Sequence, residues 1–463
     1  MADKIHIQPF EKLNRFFQER LRDEHSYRSS HYSFLKVFQH ALSYDQIGAH
    51  SRVLKNYLAW PLWAQAALLR LKAQLRKPSP VPALNEVVFI DPGRLVADET
   101  GTWHSIYMEK IISLFNEKKI SHFGKKKDSH IEFHHTLDSI DRNYSAPDER
   151  ELSMLREIHD VANKAKASTH WTSAEKDQIL SALHVFYDDF RFYYKLFNNQ
   201  PVKSVVFISH YHNEGLIAAL QTLGIRSVEI QHGLISTNDL YYVYSSVFSS
   251  GIQQAFFPDR ICVYGNYWKR ILKQGIEFTD EQVVVAGDYL FHPATKKANI
   301  EKQNVVLICA QKNMHEEYVE YAHFLLPWME KHPDWKWIIK LHPLEKNKAA
   351  YEELKQLNFE IVEHQRSLDS LLRECRIQIS IYSTTFFDAL GFDISNFSIQ
   401  QFGMYRDYAA QMVEEGVALP LLTTEDPIEK AEALVEKTPP LKRDDVYAQF
   451  NTQAILSAIL PTN

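Results

Sequence analysis

Apolar positions along this chain change rhythm several times, and the changes mark its organisation. Over the first 85 residues the period is helical: Phe10, Leu13, Phe16, Phe17 and Leu21 recur at helical spacing, and a second apolar series runs from Leu54 to Leu75. The same period returns between Pro147 and Asn199, which reads as two long helices, the second dense in aromatics from Phe186 to Phe197. At that spacing aromatics belong to a core. Elsewhere the pattern is one of short unbroken apolar runs: EVVFID from Glu86, KSVVFIS from Lys203, RSVEI from Arg226, RICVY from Arg260 and QVVVA from Gln282. A second series opens with NVVLI at Asn304 and continues near Lys336, Phe359, Ile377 and Phe397. Such runs are strands buried on both faces, and helix-length intervals between them call for parallel βαβ units. A helix is also expected from about His104 to Glu117.

Punctuation divides the chain. The run Lys77-Pro78-Ser79-Pro80-Val81-Pro82 ends a helical accessory region, residues 1–85. A polar stretch from Pro293 to Lys302 separates a first Rossmann-like domain, 86–298, from a second, 299–463. The expected fold class is therefore α/β, with two Rossmann-like domains facing a cleft and an N-terminal helical extension.

Composition narrows the function. In 463 residues, 45% hydrophobic and 24% charged, there is material for two or three cores. A net charge of −6 supplies no basic field for nucleic acid. Cys262, Cys309 and Cys375 sit in apolar contexts without CxxC spacing and read as reduced core residues of a cytosolic protein. The N-terminus lacks the apolar region of a signal peptide, and no run of eighteen apolar residues occurs, so no spanning segment is expected. Between Asp45 and Glu86 there is no acidic residue, while Arg52, Lys55, Arg70, Lys72, Arg76 and Lys77 alternate with Tyr57, Trp60 and Trp63. That stretch admits two readings: a helical pair with a basic outer face, or a peripheral contact with an anionic membrane surface.

The chemistry-bearing residues fall at strand ends. Lys340-Leu341-His342-Pro343 closes one strand, where proline stops the ladder. Ser383-Thr384-Thr385 follows another and leads into FFDAL at helical spacing, which places hydroxyls at an expected helix N-terminus, a setting that favours phosphate. Gln231-His232-Gly233 and His210-Tyr211-His212-Asn213-Glu214-Gly215 follow two strands of the first series, Asp91 ends its first strand, and Gly287 its last. Two histidines with Glu214 lack the fixed third ligand of a metal motif. There is no GxGxxG, GxxxxGK[ST], GxSxG or DxD. Any nucleotide must then be held without those devices, and without a metal held by DxD.

The QHG at 231–233, the KLHP at 340–343 and the Ser383–Thr385 motif running into FFDAL together resemble metal-independent GT-B glycosyltransferases of bacterial surface polysaccharides. The resemblance covers roughly residues 200 to 400. It is nearest to capsule and lipopolysaccharide enzymes using CMP-activated sugars such as Kdo or sialic acid, and to the glycerophosphotransferases of teichoic acid synthesis. It implies an acceptor-binding N-terminal domain and a donor-binding C-terminal one, with Lys340, His342, Pro343, Ser383, Thr384, Thr385 and Gly287 at the donor. It implies a nucleotide-sugar donor, a glycan or glycolipid acceptor, no cofactor and no metal. The acidic pair before glycine in the related sialyltransferases is matched by Asn213-Glu214-Gly215, which departs at its first position; the base stays open among His232, Glu214 and Asp91. The expectation is a cytoplasmic transferase, peripheral on the inner membrane, with a polyol phosphotransferase or a non-catalytic assembly subunit as rivals.

Overall fold

The structure, a computed structural model, describes residues 19–20, 34–43, 62–75, 81–97, 101–116, 119–124, 133–140, 145–237, 241–242, 256–275, 278–290, 301–312, 314–343, 345, 347–363, 365–390, 392–402, 409–434 and 441–460. Phe10, Leu13, Phe16, Phe17, Leu21, Arg52, Lys55, Tyr57, Trp60, Arg76, Lys77, the side chain of Trp63, most of the proline-rich run and residues 293–300 of the linker expected at 293–302 lie outside them. The chain forms two α/β units. The first holds residues 1–232, 239–293 and 449–463; the second holds 233–238 and 294–448.

The first unit is built on seven parallel strands: β1 (Val87–Asp91), β4 (Ile120–Gly124), β5 (His135–Thr136), β6 (Ser204–Ile208), β7 (Arg226–Ile230), β8 (Arg260–Val263) and β9 (Val283–Val285). Their order is β5-β4-β1-β6-β7-β8-β9. The chain builds leftward from β1, then returns through two long helices to lay β6 on the other side of β1. The point of reversal is between β1 and β6, where an open parallel sheet leaves a crevice at its carboxyl edge. The helices α1 (Leu35–Ser43), α2 (Leu62–Leu75), α3 (Glu149–Ala167), α4 (Ser173–Phe197), α5 (Glu214–Leu223) and α6 (Asn266–Gly275) accompany the sheet. Helices α3 and α4 both open with reciprocal capping boxes, Asp148 with Glu151 and Thr172 with Glu175. The aromatics of α4 are buried as their spacing requires.

One helix expected from sequence is absent. Trp103–Ser105 is β3, antiparallel to β2 (Leu95–Ala97), and only the single turn Glu109–Ile112 is helical. The hairpin's ladder satisfies the backbone there, and Trp103, a residue that favours strands, belongs to it.

The second unit carries six parallel strands: β10 (Val305–Cys309), β11 (Lys336–Lys340), β12 (Phe359–Val362), β13 (Ile377–Ser380), β14 (Ser395–Ile399) and β15 (Leu419–Leu421). Their order is β12-β11-β10-β13-β14-β15, so the reversal lies between β10 and β13. Alternate residues of β10 serve two cores: Val306 and Ile308 pack with Tyr318, Tyr321 and Leu325 of α7 (His315–Lys331), while Val305 and Leu307 pack with Leu371 and Leu372 of α8 (Leu368–Glu374). Burial on both faces is what an unbroken apolar strand demands. Cys262, Cys309 and Cys375 are buried thiols. Both sheets with their helices are Rossmann-like, as the fold-class expectation has it. The last helix, Thr452–Ile459, belongs to the first unit. Among the described residues no helix is long and apolar enough to cross a membrane.

Candidate functional site

At the carboxyl edge of the second sheet the strand ends flanking the reversal enclose a pocket of about 450 Å³. Lys340, His342 and Pro343 enter it from the end of β11, and Ser383, Thr384 and Thr385 from the loop after β13. Six residues singled out on sequence grounds are therefore neighbours, because both motifs sit at the carboxyl ends of strands flanking β10. A further cation, Lys312, reaches the pocket from the end of β10 and is exposed. Sequence reasoning passed over it; the signal was its place just after NVVLI, the strand that the sheet order puts at the centre.

The pocket's floor is fixed by buried polar contacts. Ser380 Oγ donates to the Cys309 carbonyl at 2.8 Å, and Tyr318 OH lies 3.0 Å from Ser380 Oγ. Gln311 Oε1 accepts from Tyr382 N at 3.2 Å and from Tyr318 OH at 3.1 Å. These bonds tie the loop after β13 to the end of β10, so the hydroxyl-bearing segment is held from beneath. Burial pushes the Cys309 thiol up to about 12, which keeps it protonated and inert. Lys340 donates to the Glu363 carbonyl, and its half-buried setting pulls its pKa below the usual lysine value.

The helix after Ser383 is only one turn, α9 (Thr385–Asp388), and its N-cap residue Thr384 makes no side-chain cap bond. The expected helix-dipole contribution is replaced by local chemistry. Ser383 Oγ accepts from Thr385 N at 3.2 Å, which leaves its own proton to be donated elsewhere, while Thr385 Oγ1 accepts from Gln378 Nε2 and hydrogen-bonds the Cys309 thiol. Asp388, the carboxylate at the pocket's edge, accepts from Tyr447 OH at 2.8 Å.

Gly287 is not part of this pocket. It lies in the first unit with φ +79°, and a Cβ there would stand 2.2 Å from the Gln449 carbonyl oxygen. Its glycine is required by the returning chain, which Asn451 N pins to the Ala286 carbonyl at 2.9 Å.

In the first unit the three candidate bases have different surroundings. Asp91 has no exposed surface: Oδ1 accepts from Gly93 N at 2.8 Å and Oδ2 is 3.2 Å from His122 Nε2. It builds the turn after β1 rather than facing solvent as a cleft carboxylate. Glu214, at the start of α5, is 8% exposed. His232 is half-buried; its Nε2 is 2.9 Å from Tyr211 OH, its Nδ1 is 3.4 Å from Ser209 Oγ, and its carbonyl accepts from Tyr107 OH at 2.9 Å. Ser209 and His212 both have φ near +60°, so the loop that presents Tyr211 is strained.

Beneath that loop lies a buried charged cluster with no precedent in the sequence pattern. His210 Nδ1 is 2.6 Å from Glu229 Oε2, Tyr242 OH donates to Glu229 Oε1 at 2.7 Å, and His210 Nε2 is 3.0 Å from the Tyr241 carbonyl. Burial raises the pKa of Glu229, but the donors His210 and Tyr242 outweigh it and hold the carboxyl below its usual range. Lys36 of α1 reaches the same region, donating to the Phe256 carbonyl at 2.6 Å; burial lowers its pKa to about 8, against the pull of Glu214 and Glu229. Tyr241 stacks on Tyr211 at 4.0 Å, so the cluster's last link to His232 runs through that ring pair. Among the described residues, no group of three or more His, Cys, Asp or Glu has the arrangement of a metal site.

No protein-family model matches the chain, and no curated protein matches it in sequence. Among solved structures it is similar to the UDP-GlcNAc 2-epimerase of Neisseria meningitidis bound to UDP-GlcNAc, at 13% identity over 80% of this chain and 97% of that one, with a TM-score of 0.47. It is similar also to the Methanocaldococcus jannaschii UDP-GlcNAc 2-epimerase in complex with UDP-GlcNAc and UDP, at 11% identity over 80% and 97% and a TM-score of 0.42. The calicheamicin glycosyltransferase CalG4 matches at 12% identity over 81% and 95%, with a TM-score of 0.41. At such identities and scores no residue role passes from these proteins to this chain.

Proposed function

We propose that the chain is a sugar-nucleotide-using enzyme of the GT-B type. In this reading it transfers a sugar from a nucleotide-activated donor to a bacterial surface glycan or glycolipid, and a CMP-activated sugar of the Kdo or sialic acid kind is the favoured donor. The observation that carries this reading is the convergence of Lys312, Lys340, His342 and three hydroxyl residues on the second unit's pocket. Cations and hydroxyl donors from separate strand ends suit a leaving phosphate, whose charge grows as the glycosidic bond breaks. His342 donates to that phosphate, Lys312 and Lys340 neutralise it, and Ser383, Thr384 and Thr385 bind its remaining oxygens. His232 takes the acceptor hydroxyl's proton; its partial exposure supports it over the buried Asp91 and Glu214.

The test is the melting temperature of the full chain with CMP, CDP, UDP and GDP, since a ligand at 100 times its Kd adds about 2.7 kcal/mol to the folded state. A rise with CMP and CDP, lost in His342→Ala, supports the cytidylate donor; a rise with UDP or GDP alone keeps the enzyme and discards that donor. If no nucleotide raises it, the enzyme reading falls and a non-catalytic assembly subunit replaces it. Product analysis then separates sugar transfer from polyol phosphate transfer, and from an epimerase, which returns an altered sugar still attached to its nucleotide.

A further inference from the structure

The first unit carries an exposed cation that the reading above does not use. Arg94 follows the turn that Asp91 builds, one residue before β2, and Ile106 N donates to its carbonyl at 2.9 Å, so the hairpin fixes its position relative to Tyr107. Its guanidinium donates to Tyr107 OH at 2.6 Å, and that same hydroxyl donates to the His232 carbonyl at 2.9 Å. The Tyr107 and His232 rings meet edge to face at 6.3 Å. Arg94 makes no ion pair among the described residues.

A guanidinium normally organised by a carboxylate is organised here by a neutral phenol, so that among the described residues its charge meets no carboxylate while one of its donors is anchored. Burial raises the pKa of Tyr107, which keeps the phenol protonated and the arrangement intact. One N–H goes to Tyr107, and a guanidinium carries four further N–H donors. These groups stand at the carboxyl end of β1 and just past the end of β7, on the edge where the first sheet reverses.

We infer that Arg94, with His232 beside it, forms a binding site for an oxyanion, a carboxylate or a phosphate, carried by the acceptor. The assignment to the acceptor rests on the proposed function, in which the second unit's own lysines serve the donor phosphate.

The experiment follows the imidazole resonances of His232, identified by their loss in His232→Gln, in the full chain at constant ionic strength. Inorganic phosphate and D-glucuronate are titrated separately into the wild type, Arg94→Gln and Tyr107→Phe. Saturable shifts with phosphate, weakened at least tenfold by Arg94→Gln and several-fold by Tyr107→Phe, support a phosphate-bearing acceptor; the same result with glucuronate supports a carboxylate-bearing one. Tyr107→Phe leaves the charge and removes only its anchor, so it decides the matter should Arg94→Gln fail to fold. If neither anion moves His232 saturably, or the variants titrate as the wild type does, the site is overturned. Binding of CMP, CDP, UDP and GDP by the wild type is measured in parallel: the absence of all four sinks the enzyme reading without touching the anion site, and binding of any one with silent anion titrations does the reverse.

Discussion

Lys36 is 2% exposed, and its ammonium faces Glu214, Glu229 and His210 from a helix outside the sheet. Its pKa is about 8 in the folded chain against an ordinary 10.5, so burial disfavours its charged form by about 3 kcal/mol at neutral pH. Between those two values the unfolded chain binds more protons than the folded one, and stability contributed by this residue therefore rises with pH from about 8 to 10. Denaturant titrations at pH 7.5 and 9.5 should show the wild type gaining on Lys36→Met over that interval; parallel curves for the two proteins would mean that Lys36 does not titrate there. Nothing near position 36 in the sequence announces this role, since its partners lie close to 180 and 190 residues away. The same limit explains Gly287, whose glycine answers to Gln449, and the buried Asp91, whose partner is His122. Lys340, His342 and Ser383 to Thr385 were legible because a strand-end position follows from local pattern alone. A second residue-scale outcome is expected at the pocket: Lys340→Met should weaken nucleotide binding at least tenfold, read by calorimetry, with an unchanged melting temperature for the unliganded chain.

Elements obey the same division between local and distant causes. Strands β1, β6 to β9 and β10 to β14, with helices α3 and α4, follow from periodicity and capping; the short β5 and β15, and β4, whose apolar positions are broken by Ser121 and His122, do not. The β2–β3 hairpin does not, because its ladder replaces a helix that the apolar spacing of residues 104–117 also satisfies. The crossing of α5 on α4 is a close one: a Cβ on Gly215 would lie 2.6 Å from the Phe186 carbonyl oxygen and 2.7 Å from Phe190 N. Gly215→Ala should destabilise the first unit by about 1–3 kcal/mol, the cost of forcing backbone apart in a packed interior, as measured by denaturant unfolding. The glycine after Glu214 is thus explained by packing, whatever Glu214 does. On α2, Arg70, Leu71 and Lys72 are exposed, Leu71 by 50%. If this face meets an anionic membrane, the chain should sediment with anionic liposomes at low salt and Arg70→Glu with Lys72→Glu should abolish it; equal sedimentation of the variant ends the membrane reading.

At the scale of the molecule, each unit is an open parallel sheet whose strand order reverses once, and each holds candidate site residues at the carboxyl edge of its sheet. Strand order is the part of the fold that the sequence does not state, since it depends on which side of the first strand each return is laid. The C-terminal helix is another such feature: Ile455 and Ile459 are fully buried in the first unit, and Arg226 donates to the carbonyls of Ser457, Ala458 and Leu460 at 3.3, 3.4 and 3.0 Å. Completion of the first unit therefore waits on residues 452–459, which leave the ribosome after the whole of the second unit. The second unit's residues 294–448 are synthesised in between, a delay of roughly 8–30 s at ordinary elongation rates. During that time the nascent first sheet lacks the helix that covers part of it, and its apolar surface is exposed to whatever chaperones attend the ribosome.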